Sequence, residues 1–154
     1  MSHPSVVLSL VVAAALAGPC VAGCARNEGE AVAVVRRYDA LVADAYRSGQ
    51  TAQLEQVAGP KDLSKILALV DINRTQGIYL DSRLLNLEVQ RVEWLGADRA
   101  QVWAREDWEY SYRRISDAIP TRPPIRQTDE LVYILRKDSG RWLIEEVRWQ
   151  QDIQ

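Results

Sequence analysis

LDSRLLNLEVQRVEWLGADRAQVWAREDWEYSY, Leu80 to Tyr112, is the stretch on which the architecture turns. Its polarity alternates with period two, the period of a strand whose successive side chains face opposite ways. Leu85, Leu87 and Val89 alternate with Asn86, Glu88 and Gln90, and then the phase slips, because Val92 and Trp94 are apolar while Arg91 is not. One extra residue near Gln90-Arg91 restores the facing and bends the strand. Gly96-Ala97-Asp98 predicts a hairpin turn. Val102, Ala104, Glu106, Trp108, Tyr110 and Tyr112 then share one face of a long second strand.

Beyond this stretch, Asp117–Arg126 (DAIPTRPPIR) reads as a proline-rich loop and Glu130–Lys137 as a third strand. The nearly continuous apolar run from Leu131 to Leu135 in that strand predicts cover on both faces. Asp138-Ser139-Gly140 turns the chain into a last strand, Arg141–Gln150. There the apolar phase changes between Trp142/Ile144 and Val147/Trp149, predicting a bulge at Glu145-Glu146. Before Leu80 the period is that of helices. Glu30–Ser48 carries Ala31, Val34, Val35, Tyr38, Leu41, Val42, Ala45 and Tyr46 at three- and four-residue steps, with Arg36, Arg37, Asp39 and Asp44 assigned to the opposite side and Gly49 as its stop. Thr51–Val57 is a short second helix, and a third runs from Pro60 or Lys61 to about Gln76 with Leu63, Ile66, Leu67 and Val70 on one face. Helices followed by hairpin-linked strands predict an α+β fold: one domain, residues 31–154, with helices packed on one curved antiparallel sheet.

The first residues read as an address. Val6–Gly18 (VVLSLVVAAALAG) is apolar except for Ser9 and shorter than the roughly 20 residues a membrane helix needs. Val21-Ala22-Gly23-Cys24 resembles a bacterial lipobox, in which two small residues precede the cysteine that is acylated. The expectation is a lipoprotein signal peptide over residues 1–23, lipidation at Cys24, and a tether over residues 24–30 that holds the domain against the bilayer of a bacterial envelope. The missing Asp after Cys24 (Ala25 stands there) favours the outer membrane and a periplasm-facing domain. Residues 1–5 contain no Lys or Arg, a departure from the usual cationic start. An uncleaved anchor over Val6–Ala25 and an ordinary secretory signal are the alternatives. Cys20, after Pro19, does not fit the lipobox.

Composition excludes several classes. The 154 residues carry 19 Lys and Arg against 21 Asp and Glu, too balanced for a dedicated nucleic-acid binder. The only histidine is His3, and two cysteines cannot staple a disulfide scaffold. No phosphate loop, dinucleotide fingerprint, nucleophile elbow or zinc-protease helix occurs. Glu106-Asp107 and Glu145-Glu146 point to opposite faces of their strands and cannot chelate one metal, so neither metal nor cofactor is expected.

The strongest catalytic candidate is Glu106, a carboxylate among aromatic neighbours on one strand face, with Tyr110 or Tyr112 as a hydrogen-bond donor. The alternatives are an ion pair with an arginine such as Arg91, or a place on the solvent face. Five tryptophans stand against no phenylalanine, and they suit sheet packing and interfaces. Trp103, on the face opposite Trp108, is the candidate exposed contact. Arg113, Arg114, Arg122 and Arg126 flank the proline loop and offer a patch for anionic headgroups or an acidic partner, with Asp117 the only close acid.

With YDALVADAY in the first helix, GADRAQV in the first hairpin and SGRWLIEEVRW at the end, the chain resembles the nuclear transport factor 2-like superfamily. Tyr79–Trp149 also resembles the IMS-type domain of cyanobacterial and plastid division proteins. The resemblance implies a cone-shaped α+β cup and a choice of functions. The first is a non-catalytic module that binds an envelope protein or a small apolar ligand, with homodimerisation through the sheet possible. The second is a small isomerase, dehydratase or cyclase using Glu106 as general acid or base. Steroid isomerases of this superfamily pair an acidic base with a second, protonated acid, and no residue here matches that second acid; the histidine of the dehydratase branch is also missing.

Overall fold

A computed structural model describes residues 22–153, with side chains from Gly29 onward. The expected signal segment up to residue 21 and the Cys24 side chain lie outside what is described. Helix α1 (Ala22–Ser48) is followed by a short 3-10 turn (Leu54–Gln56), helix α2 (Pro60–Thr75), four strands, β1 (Ile78–Trp94), β2 (Arg99–Arg114), β3 (Ile125–Asp138) and β4 (Arg141–Trp149), and a closing 3-10 turn (Gln150–Asp152). The strands form one antiparallel sheet in the order β1-β2-β3-β4. Two helices packed on a single curved four-stranded sheet make an α+β fold, as the change of period predicts.

Several boundaries differ from the sequence reading. Helix α1 begins at Ala22, so the backbone of the expected tether is already helical there. Its Ala, Arg, Asn and Glu residues tolerate a helix, and a lone interior Gly29 costs only about 1 kcal/mol. The expected second helix is only the 3-10 turn, cut short where Gly59 approaches β4. There the Gly59 N–H donates to the Ile144 carbonyl at 2.7 Å and the Ile144 N–H donates to the Val57 carbonyl at 2.7 Å. A Cβ on Gly59 would sit 3.3 Å from the Ile144 carbonyl oxygen, a tight approach that glycine relieves. Strand β3 starts at Ile125, not Glu130, and takes the end of the proline loop with it. Leu67 of α2 is 39% exposed, because the buried line of that helix runs through Asp62, Ile66, Val70 and Asn73.

The two bulges read from the sequence are present. The β1–β2 register shifts between Val89 and Arg91, leaving Gln90 as the extra residue. In β4, Glu145 is skipped, because Ile134 pairs with Glu146 while Leu135 pairs with Ile144. A second shift in β1, between Leu84 and Asn86, was not read; it turns Leu85 outward to 41% exposure while Leu87, Val89, Val92 and Trp94 pack inward. Bulges bend the strand that carries them, and these bend the sheet around the helices. At the β3–β4 turn both Ser139 (φ 48°) and Gly140 (φ 83°) are left-handed, the geometry of a tight hairpin for which glycine is suited.

The core lies between the helices and the concave face. Val35, Leu54, Val102, Tyr133, Leu135 and Ile144 are all buried to within 2% of completely. Each such aliphatic side chain contributes about 1.5–3 kcal/mol by leaving water. Val132, on the convex face beside its cross-strand neighbour Trp103, is also fully buried, so β3 is covered on both sides as its apolar run predicts.

Candidate functional site

At one end of the core the packing is incomplete. A cavity of about 140 Å³ remains between α1, which supplies Tyr38, Asp39, Ala43 and Tyr46, and the strands, which supply Glu106, Trp108, Tyr110, Asp129 and Tyr133. Strand alternation puts Glu106, Trp108 and Tyr110 on the concave face, as expected. Pairing Glu106 with Asp129 across β2–β3 brings a second carboxyl beside the first.

Glu106 is 1% exposed and, among the described residues, has no arginine partner. Its Oε2 accepts from the Trp108 indole N–H at 2.7 Å, and its Oε1 lies 2.6 Å from the Tyr133 hydroxyl. The same hydroxyl lies 2.9 Å from Oδ1 of Asp39, which is 3% exposed. One phenolic proton cannot serve two carboxylates. If Tyr133 donates to Glu106, the Asp39 carboxyl must itself carry a proton and donate to the Tyr133 oxygen. Burial first, and then repulsion from Glu106, hold the Asp39 carboxyl well above the usual carboxylate range. Burial also raises Glu106, although its hydrogen bonds from Tyr133 and Trp108 act the other way. Asp39 and Glu106 therefore act as a coupled acid pair that retains a proton. The second Asp39 oxygen, Oδ2, is buried and has no hydrogen-bond partner.

Around this pair, the Tyr38 hydroxyl donates to Asp62, and the Tyr110 hydroxyl donates to Asp129 at 3.1 Å. The Trp108 and Tyr110 rings stack with centroids 5.9 Å apart. Among the described residues no Lys or Arg lines the cavity. A wider groove of about 380 Å³, lined by Leu80, Tyr112, Arg122, Ile125 and Trp149, adjoins it, and Tyr46, Tyr110 and Asp129 line both. Among the described residues no three His, Cys, Asp or Glu side chains converge as a metal site.

The structure sorts the other candidates. Tyr110 serves Asp129, and Tyr112 faces the groove beneath the Arg122 guanidinium, 4.8 Å from its ring centre; neither is bonded to Glu106. Trp103 is half-buried under Arg91, whose guanidinium lies 4.3 Å from the ring centre, so it is not an exposed contact. The arginine patch is largely neutralised: Arg113 pairs with Asp81, Arg114 with Asp117, and Arg126, on β3, with Glu109. Asp39, Tyr133 and Asp129 were missed as site residues. Asp39 was assigned to the polar side of α1, yet it follows Val35 by four residues and precedes Val42 by three, which places it in the apolar stripe.

No family model and no curated protein matches the chain. Among solved structures it is similar to the intermembrane space region of the chloroplast protein ARC6, with a TM-score of 0.67 and 18% identity, over 86% of this chain and 98% of that one. At that identity the likeness establishes the fold and nothing finer. Among the described residues no helix is long and apolar enough to cross a membrane.

Proposed function

We propose that the chain is an envelope lipoprotein, anchored through acylated Cys24, whose curved-sheet domain is a non-catalytic binding module that takes a small ligand or the tip of a partner protein in its cup. The observation carrying this reading is the cavity itself, about 140 Å³ between α1 and the concave face, opening on a wider groove. Interiors are normally packed without such gaps. The likeness to a chloroplast intermembrane-space region supports a domain working at the face of an enclosing membrane. A nuclear transport factor 2-like relationship fits the same cup.

One observation favours an enzyme: the Asp39–Glu106 pair supplies the second acid that an isomerase needs. Against it, both Glu106 oxygens already have partners, and Tyr110, the donor expected to serve it, is bonded to Asp129 instead. Two experiments test the reading. Palmitate labelling in a bacterial host should be lost in Cys24→Ser; unchanged labelling refutes the anchor. The detergent-solubilised full chain should show Trp108 fluorescence changes with benzene-sized solutes, and Ala43→Phe, which fills the cup, should abolish them. A wild type that responds to no solute overturns the binding module.

A further inference from the structure

We propose that the cup binds the head of an organic cation, an alkylammonium group, between the Asp39–Glu106 carboxyls and the rings of Tyr46, Trp108 and Tyr110. This rests on the reading of the domain as a ligand-binding module and specifies the ligand's chemistry.

Three observations point to a cation. Among the described residues the cavity presents three carboxyl groups, Asp39, Glu106 and Asp129, and no basic side chain. Half of the remaining lining residues are aromatic, Tyr38, Tyr46, Trp108, Tyr110 and Tyr133, and the face of an aromatic ring attracts a positive charge. Asp39 is 3% exposed, lines the cavity, and its Oδ2 has no partner. A buried oxygen left unsatisfied costs about 1–3 kcal/mol; Oδ2 has almost no surface in the empty cup, so an ammonium N–H donor offsets that cost once the Asp39 carboxyl turns toward it. An anionic ligand would meet three carboxyls, and an alcohol would satisfy Oδ2 without using the charge or the rings. A bare metal ion is disfavoured because the acids do not converge on a point.

Size agrees. About 140 Å³ is close to the volume of an engineered cavity that holds benzene, so the head has about five or six heavy atoms. Asp129, Tyr46 and Tyr110 line both cavity and groove, so a longer ligand continues past Leu80 and Trp149. The same chemistry is offered by a free amine or by a lysine side chain of a protein.

The test uses the full chain in detergent with n-butylammonium, 1-butanol and butyrate, read by calorimetry and by the Trp108 indole N–H resonance. The expected result is binding of n-butylammonium at least about tenfold tighter than 1-butanol, with butyrate undetected, a difference of about 1.4 kcal/mol. Asp39→Asn and Glu106→Gln should each weaken n-butylammonium at least about tenfold and weaken 1-butanol by much less. The wild-type series decides the matter even if a variant does not fold. A capped lysine tripeptide binding as tightly as n-butylammonium assigns the source to a protein side chain, and weaker binding assigns it to a free amine. Equal or tighter binding of 1-butanol or butyrate overturns the cation and leaves the binding module standing. No response to any solute, in wild type as in Ala43→Phe, overturns both.

Discussion

Raising the pH from about 5 to about 8 should destabilise this domain, against the common pattern of stability gained as carboxylates ionise. The perturbed groups are Asp39 and Glu106, both held above their ordinary range by burial. Asp39 is faced by Glu106 and Tyr133 from the sheet, and Glu106 in turn by Asp129; Tyr38, bonded to Asp62, and Arg36 stand beside Asp39 on α1. An acid raised in the folded state keeps its proton where the unfolded chain, with a carboxyl near pH 4, has released it. Its stabilising contribution is complete below about pH 4 and is lost as pH rises through the folded value. Each retained proton gives a slope of about 1.4 kcal/mol per pH unit, so one proton on the pair removes about 3 kcal/mol over two units. Asp62, also raised, adds to the same limb. Glu146, lowered to about 2 by Arg148 and Lys61, and Glu109 and Asp117, lowered by arginines, have the opposite sign. Their contributions are present above the ordinary carboxyl range and lost toward acid, so they shape only the acid limb. The sole histidine, His3, lies outside the described residues. The assay is urea unfolding at pH values from about 5 to 8 for wild type and Asp39→Asn. The variant should show a shallower fall, by up to about 1.4 kcal/mol per unit. A wild-type profile that is flat or rising, or an equal slope in the variant, would refute the proton-retaining pair.

Tyr133→Phe removes the hydroxyl between the two acids and should cost about 2 kcal/mol by denaturant melting at neutral pH; a loss below about 0.5 kcal/mol would mean that the hydroxyl does not hold the pair together. Ile144→Ala, at a fully buried residue where β4 meets the loop before α2, should cost about 2–5 kcal/mol, checked the same way. Arg91→Ala should uncover Trp103 and increase acrylamide quenching of tryptophan emission while leaving stability within about 0.5 kcal/mol. The affinity of n-butylammonium, itself protonated below about pH 10, should rise with pH as the Asp39–Glu106 pair gives up its shared proton; calorimetry in two buffers should show proton release on binding, and its absence counts against the pair as the seat.

The two strand bulges at Gln90 and Glu145 were legible because a bulge leaves a phase slip in a period-two pattern. The bulge at Leu85 was not, because an apolar residue turned outward leaves the alternation looking unbroken. Glu106 was legible as a concave-face carboxylate from the same alternation. Its bond to Tyr133, 27 residues away, was not. Nor were the partners of the proline-loop arginines, which looked like a patch because Asp81 and Glu109, which pair with two of them, are remote in sequence.

Taken alone, the sequence settled what depends on neighbours within a few residues: helices first, four hairpin-linked strands after, and, Leu85 of β1 excepted, which face the strands turn inward. Local backbone geometry imposes those periods, so the side-chain pattern records them directly. The proton-sharing of Asp39 with Glu106, through a tyrosine 94 residues from Asp39 and 27 from Glu106, was decided only by the fold. Whether a carboxyl is buried beside another carboxyl depends on where a curved sheet and a packed helix meet, and no local pattern encodes that distance.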